Sequence, residues 1–206
     1  MIARDGYPYI VALAVIAGIS FVIDWRGLAT GALIGAAFMA FFFRDPERSA
    51  PEDQQAIVSP ADGRVVRIRS LHPDNPSSPV QISIFLSLFD VHINRAPISG
   101  RIKDVTYRRG AFKAAFRDVA SEVNEQSVVT VEGDGLEITF KQIAGVLARR
   151  VVFRKRVGEW VRKGERVGLI KFGSRVDVIL PSGVHVVTRV GEKVYGGTSI
   201  IARIPS

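Results

Sequence analysis

Near its C-terminal end the chain reads "LIKFGSRVDVIL", residues 169–180: two short β-runs, 169–172 and 176–180, around the pair Gly173-Ser174. Glycine takes positive φ without penalty and serine bonds its own backbone, so the pair suffices for a plain turn. Whether Ser174 does more than turn the chain depends on what the rest of the sequence offers. A serine hydroxyl is a poor nucleophile until a base activates it, and candidate bases are few. The chain has no Cys, so there is no thiol nucleophile, disulfide or Cys metal site. The three His are 72, 92 and 185, and none is at metal-ligand spacing, which argues against a His-based zinc site. His72 lies in the Pro/Ser-rich run "LHPDNPSSP" and reads as solvated. His185 lies in an expected strand and reads as packing. His92 lies in "DVHINRAP", two residues from Asp90, a carboxylate near enough in sequence to orient its ring.

The elements that must position these groups fall into two parts. Residues 7–23 and 28–43 carry no charge and are joined by "DWRG". As helices, runs of that length cover roughly 24–26 Å, against a hydrocarbon core of ~30 Å. Two readings fit: a pair of short transmembrane helices, or a hairpin dipped into one leaflet. Trp25 and Arg26 suit an interface. A cleaved signal peptide fits badly, because a second apolar run follows at once. A buried core hairpin would need a larger soluble core than the chain can supply. Net charge is +8 with pI ≈ 10.2, which suits an anionic membrane or nucleic acid. No recognition helix or aromatic-interleaved basic strand supports nucleic acid. Arg4, Arg44 and Arg48 flank the outer ends of the apolar runs, so the positive-inside rule places the remainder on the cytoplasmic side of the cell membrane. The expected organisation is a hairpin over 1–43, a polar linker over 44–55 and a β-rich domain over 56–206.

The β signal begins at residue 57. "AIVSPADGRVVRIRSL" alternates around a Pro-Ala-Asp-Gly turn, "VQISIFLSL" is a buried-strand pattern, and "SVVTVEGDGLEITFKQI" predicts a hairpin across 133–135. Helical pattern is sparse and confined to about 111–119. "VGEWVRKGERVGLI" (157–170) is echoed by "VGEKVYGGTSIIA" (190–202), both reading V-G-E-x-V-x-x-G before an apolar strand. This pair resembles the biotinyl/lipoyl-type barrel-sandwich fold. In that family the modified lysine stands four residues after the isoleucine matching Ile170, which is the position of Ser174 here.

"FFRDPER" (42–48), "VSPADG" (58–63), "FLSLFDVHINRAPISG" (85–100), "KQIAGVLARR" (141–150) and "FGS" (172–174) together resemble the short, membrane-associated class of phosphatidylserine decarboxylase proenzymes. The resemblance runs in order from about residue 42 to the C-terminus. It implies that Ser174 attacks the Gly173 carbonyl and gives an ester by N-to-O acyl shift. β-Elimination then leaves dehydroalanine at 174, and hydrolysis yields ammonia and an N-terminal pyruvoyl group. The products are chains 1–173 and 174–206, which form a heterodimer. The pyruvoyl ketone forms a Schiff base with the serine headgroup of a phospholipid and acts as electron sink when CO2 leaves, with no metal.

The resemblance also assigns helpers. The family uses an Asp-His-Ser arrangement, and Asp62 matches its Asp. Longer members carry two His three residues apart. Here His92 matches the first and Arg95 stands at the second, so either His92 serves both self-cleavage and decarboxylation or cleavage uses another helper. Arg149 and Arg150 suit a phosphodiester, or equally a solvated basic edge. Asn124-Glu125 matches the family's Asn-Glu pair. A reading of another class is a non-enzymatic membrane-anchored barrel-sandwich adaptor of a transport system, which accounts for the hairpin and the echo but not for "SPADG", "DVHINRAP" or Gly173-Ser174. A pyruvoyl decarboxylase of a soluble amino acid would leave the apolar hairpin without a use.

Overall fold

The computed structural model describes residues 1–75, 77–113, 115, 119–146, 150–171 and 173–205. The chain is mainly β with an N-terminal apolar helical pair, and it divides into two compact units, 1–47 and 48–206. The boundary falls inside the polar segment 44–55.

In the first unit, α1 (Tyr7–Val22) starts with Pro8 in its first turn, where the missing N–H costs nothing. It ends where Asp24 takes φ 58° and the Trp25 N–H reaches back to the Ser20 carbonyl. α2 (Arg26–Phe42) returns against it. Small side chains fill the seam: Ala17, Ser20, Ala29 and Ala32 are buried, whereas Ile19, Phe21 and Ile34 are exposed. A water-soluble helix pair reverses this arrangement, and helices packed in lipid adopt it. Residues 4–22 form one helical stretch long and apolar enough to cross a membrane, and α2 is a shorter apolar helix.

The second unit carries fourteen strands among the described residues. They are β1 (Ala56–Val58), β2 (Gly63–Ser70), β3 (Val80–Leu86), β4 (Ile93–Arg95), β5 (Gly100–Arg108), β6 (Gln126–Gly133) and β7 (Leu136–Ala144). After these come β8 (Arg150–Phe153), β9 (Trp160–Val161), β10 (Arg166–Lys171), β11 (Ser174–Leu180), β12 (His185–Val186), β13 (Lys193–Val194) and β14 (Ile200–Arg203). One antiparallel sheet of eight runs β13-β2-β3-β11-β7-β6-β5-β9, and two sheets of three run β1-β14-β12 and β4-β10-β8. The core holds Ile82, Ile84, Phe140, Val176, Val178 and their neighbours, all fully buried.

The V-G-E echo is a structural duplication. Gly158 and Gly191 have φ 90° and 91°, and Gly164 and Gly197 have φ 79° and 80°. The Gly158 N–H donates to the Ile102 carbonyl and the Gly191 N–H to that of Val65, both at 2.8 Å. β9 then pairs with the start of β5, and β13 with the start of β2. Arg101 donates to the Gly158 carbonyl and Arg64 to that of Gly191. The likeness reaches the small sheets: the Ile170 N–H donates to the His92 carbonyl, and the Ile204 N–H to that of Gln55. "SPADGRV" and "APISGRI" are thus the same piece of structure, with Asp62 equivalent to Ser99 and His92 to Gln55.

The sequence pattern suggests a helix over 111–119. Residues 114 and 116–118 of that stretch lie outside the described residues; Ala111 forms a parallel bridge with Asn124, and the helix α3 covers Ala120–Val123. The Asn124 amide holds the start of the stretch extended, because it accepts from the Lys113 N–H and donates to the Lys113 and Ala144 carbonyls. A side chain that satisfies extended backbone in this way competes directly with helix formation.

β11 is buried on both faces, so its charges must be satisfied internally. Arg175 pairs with Asp177 at 2.6 Å and donates to Ser83, while Gln81 and Ser121 donate to the other Asp177 oxygen. Asp177→Ala is expected to cost about 3–5 kcal/mol because it strands a buried guanidinium, and Arg175→Met with Asp177→Leu should recover most of it. Denaturant unfolding of the three proteins checks both.

Candidate active site

Ser174 opens β11, with Leu86 of β3 on one side and Ala144 of β7 on the other. Its side chain shares the core-facing side of the strand with Val176 and Val178. Ser174 is fully buried, and its Oγ has no hydrogen-bond partner among the described residues. A buried polar atom without a partner costs about 1–3 kcal/mol, so this hydroxyl is held against its solvation preference beside the peptide bond it would attack.

That bond is shaped from the other side. Gly173 has φ 55°, the left-handed region that glycine adopts at little cost. Its carbonyl oxygen lies so close to Gly145 that a Cβ on Gly145 would overlap it, and the same Cβ would stand 3.3 Å from the Ala115 methyl. Gly145 follows directly on Ala144, the partner of Ser174, so the backbone of "QIAG" forms a seat for the Gly173 carbonyl. The Asn124 bond to the Ala144 carbonyl fixes that seat at 2.7 Å.

His92 is positioned by a turn and by a small sheet. β3 ends at Leu86 opposite Ser174. Residues 87–90 then close a turn through the Asp90 N–H to Ser87 carbonyl bond, and the Ile170 N–H holds the His92 carbonyl. This bond ties His92 to β10, four residues before Ser174. His92 is 2% exposed, with Nδ1 2.9 Å from the Asp90 carbonyl. A carbonyl can only accept, so Nδ1 carries a proton, and in the neutral form of the ring the basic lone pair is on Nε2. The Asp90 carboxylate serves the turn. It accepts from the Ser87 N–H and hydroxyl, each at 2.8 Å, and from Lys193.

Asp62 is held elsewhere. Arg48 grips it with both guanidinium nitrogens, at 2.5 and 2.8 Å, and the Gly196 N–H donates to it at 2.8 Å. The equivalent Ser99 hydroxyl accepts from the Lys163 N–H at 2.9 Å. Asp62 therefore caps a strand end that its repeat partner caps with a hydroxyl, with Arg48 of "FFRDPER" added. Arg95 is also buried here and donates to the Gly164 carbonyl. Arg150 begins β8 opposite Lys171, exposed, at a cavity of about 340 Å³ lined also by Tyr107, Phe153 and Lys155. Arg149 lies outside the described residues.

Two residues absent from the sequence reading stand close to this site. Gln142, two before Ala144 on the same face of β7, donates to the Asn94 side chain at 2.8 Å, tying the large sheet to β4. Both are fully buried, and Gln142 Oε1 and Asn94 Nδ2 have no partner among the described residues. The "KQIAG" and "HIN" motifs contained them, but only the fold brings the two together.

Two predictions follow from this geometry. Gly145→Ala should slow backbone cleavage at 173–174 markedly while leaving a folded chain, because the added methyl displaces the Gly173 carbonyl; denaturing mass spectrometry over time measures it. The second concerns Asp90. Burial raises its carboxyl, but the bonds from Lys193 and Ser87 outweigh that and hold it below the ordinary value of 3.8. A carboxyl depressed by folding stabilises fully above its ordinary value and loses that contribution as pH falls through the lower folded one. Asp90→Asn should be less stable than the parent at neutral pH, and the gap should narrow in acid below 3.8. Thermal unfolding against pH reads this out.

The sequence model of the family described as phosphatidylserine decarboxylase matches residues 36–202. A protein of Solibacter usitatus named phosphatidylserine decarboxylase proenzyme is 46% identical over 202 residues, covering 98% of this chain and 96% of its own length. Proteins of the same name from Carboxydothermus hydrogenoformans and Burkholderia mallei are 43% and 41% identical, covering 98% and 100% of this chain and 95% and 96% of their own. With both the motifs and nearly the full length shared, the chain belongs to the phosphatidylserine decarboxylase family, enzymes made as proenzymes.

Proposed function

We propose that this chain decarboxylates phosphatidylserine, or a close serine phospholipid, to the ethanolamine phospholipid and CO2, with a pyruvoyl group made from its own Ser174. The observation that carries this reading is the buried Ser174 hydroxyl, without a partner among the described residues, next to a Gly173 carbonyl seated against Gly145. A turn needs neither feature. Both fit the conversion of residue 174 into a carbonyl group enclosed by protein.

In this reading the Ser174 hydroxyl attacks the Gly173 carbonyl carbon, and the C–N bond to residue 174 breaks as the ester forms. His92, with Nδ1 committed to the Asp90 carbonyl, takes the proton on Nε2. Asp62 acts as a positioning residue through Arg48 and Gly196, since its hydrogen bonds go there. Once formed, the pyruvoyl ketone supplies an electrophile for the headgroup amine and a sink for the electrons left by CO2. Arg150, with Arg149, offers guanidinium donors for the phosphodiester. The two fragments remain together as a heterodimer, and the apolar helix pair holds the enzyme in the cell membrane with the β unit on the cytoplasmic side. The adaptor reading is not favoured, because it gives the Gly173-Ser174 geometry no task.

Intact mass under denaturing conditions should give a 1–173 chain and a 174–206 chain whose N-terminus resists Edman degradation. Ser174→Ala should stay whole and inactive, and an active protein that remains a single uncut chain would overturn the proposal. His92→Ala should slow or abolish cleavage. If it cleaves fully yet does not decarboxylate, the residue serves the lipid step alone. Removing residues 1–43 should leave cleavage intact, because the groups invoked lie in the second unit. Turnover on bilayer substrate should fall steeply, and turnover of a short-chain soluble analogue much less.

A further inference from the structure

One end of the β unit differs from the rest of its surface. The Ser174 ends of β11 and β7 lie level with the last residues of β3 and β5 and the first of β6, because Ser174 faces Leu86 and Ala144, Gln126 faces Ile143, and Arg108 faces Gln126. The segments leaving these strand ends carry Phe89, Tyr107, Phe112, Val119, Val123 and Val146 at 36–70% exposure. They are six of the eleven exposed large apolar or aromatic side chains described in this unit, so the apolar surface is concentrated there. Val146 is next to Gly145, which seats the Gly173 carbonyl. Phe112 lies between Ala111, bridged to Asn124, and Lys113, bonded to the Asn124 amide. Arg108, Arg109, Lys113 and Arg150 stand exposed at the same end, against exposed Glu122 and half-buried Glu125.

We propose that this rim, centred on Val146 and Phe112, is a second membrane contact: it inserts into the headgroup region of an anionic bilayer at the mouth of the Ser174 site, independently of the helix pair. The inference rests on the lipid-decarboxylase reading for its purpose but not for its physics. Apolar side chains ringed by Lys and Arg are the composition of an interfacial anchor, and each cation near an anionic surface adds attraction that decays within a Debye length. An anionic bilayer answers both parts of the rim, hydrocarbon taking the apolar side chains and phosphate the cations. With the rim in the interface, a serine headgroup reaches a carbonyl at residue 174 while its chains stay in the bilayer.

The chain has no Cys, so single cysteines introduced at Val146 and Phe112 report cleanly. A third at Glu132, six residues along β6 from Gln126 and hence ~20 Å from that end, is the reference. Each full-length protein is labelled with bimane and reconstituted in phosphatidylcholine–phosphatidylglycerol vesicles containing a doxyl lipid. Labels at 146 and 112 should be quenched by the doxyl lipid and shielded from iodide, and the label at 132 should show the reverse. Equal behaviour at all three positions overturns the proposal. So does shielding from iodide at 146 and 112 without doxyl quenching, because the occupant would then be protein. In the second arm, Val146→Asp should raise the KM for vesicle substrate about tenfold, as expected for removing an aliphatic side chain from hydrocarbon, with the soluble analogue unaffected. If the decarboxylase reading failed, no variant would turn over lipid, yet the quenching would still decide the contact.

Discussion

Gly63 and Gly100 each let a strand begin against the carbonyl of a neighbour, Phe85 in one case and Glu132 in the other, at a separation that leaves no room for a Cβ. The close approach sets where β2 lies on β3 and where β5 lies on β6. The positive-φ glycines at 158 and 191 then donate to the carbonyls of Ile102 and Val65, and so bring β9 and β13 onto the two ends of the large sheet. One backbone lock, used twice, therefore fixes the frame on which everything else is hung. The requirement for glycine is physical, since any side chain at 63 or 100 would push apart two hydrogen-bonded ladders.

A duplicated frame offers two equivalent corners, and this chain equips only one of them. His92 stands where the other repeat has Gln55. In the repeat that carries His92, β10 of the small sheet leads on to Ser174 and β11 of the large sheet. The Asp62–Ser99 equivalence shows the opposite kind of change, in which a strand-end cap is shared and a carboxylate replaces a hydroxyl. The carboxylate admits Arg48, which a serine could not hold in a two-nitrogen grip.

Much of this was legible from the residues. The uncharged runs became α1 and α2, the Gly-Asp-Gly turn became the β6–β7 hairpin, and the V-G-E echo became the duplication. The misreadings have local causes. β11 begins at Ser174 rather than at 176 because Arg175, which a pattern of hydropathy reads as turn, is neutralised in the interior by Asp177. At the start of the helix suggested near 111–119, Lys113 is held instead by the Asn124 amide, eleven residues away. Gly145 and the Gln142–Asn94 link are invisible to spacing altogether, because each matters only through a partner from another part of the chain.

The position of Ser174 in the sheet also reconciles two demands that otherwise conflict. In the proposed reaction, forming a carbonyl at residue 174 breaks the chain, yet the new N-terminus has to stay by the Gly145 seat. β11 is flanked on both sides by full ladders, from Ser174–Leu86 to Leu180–Val80 on β3 and from Ser174–Ala144 to Ile179–Thr139 on β7. An edge strand cut at its first residue would fray. A central one, with Val176, Val178 and Leu180 in the core and the Arg175–Asp177 pair locked to Ser83, Gln81 and Ser121, loses only the turn. β13 and β14 add two further attachments of the same segment to the body of the unit, on β2 and β1. The proposed scissile bond therefore lies at the end of a strand paired on both sides, where cleavage would not release the fragment.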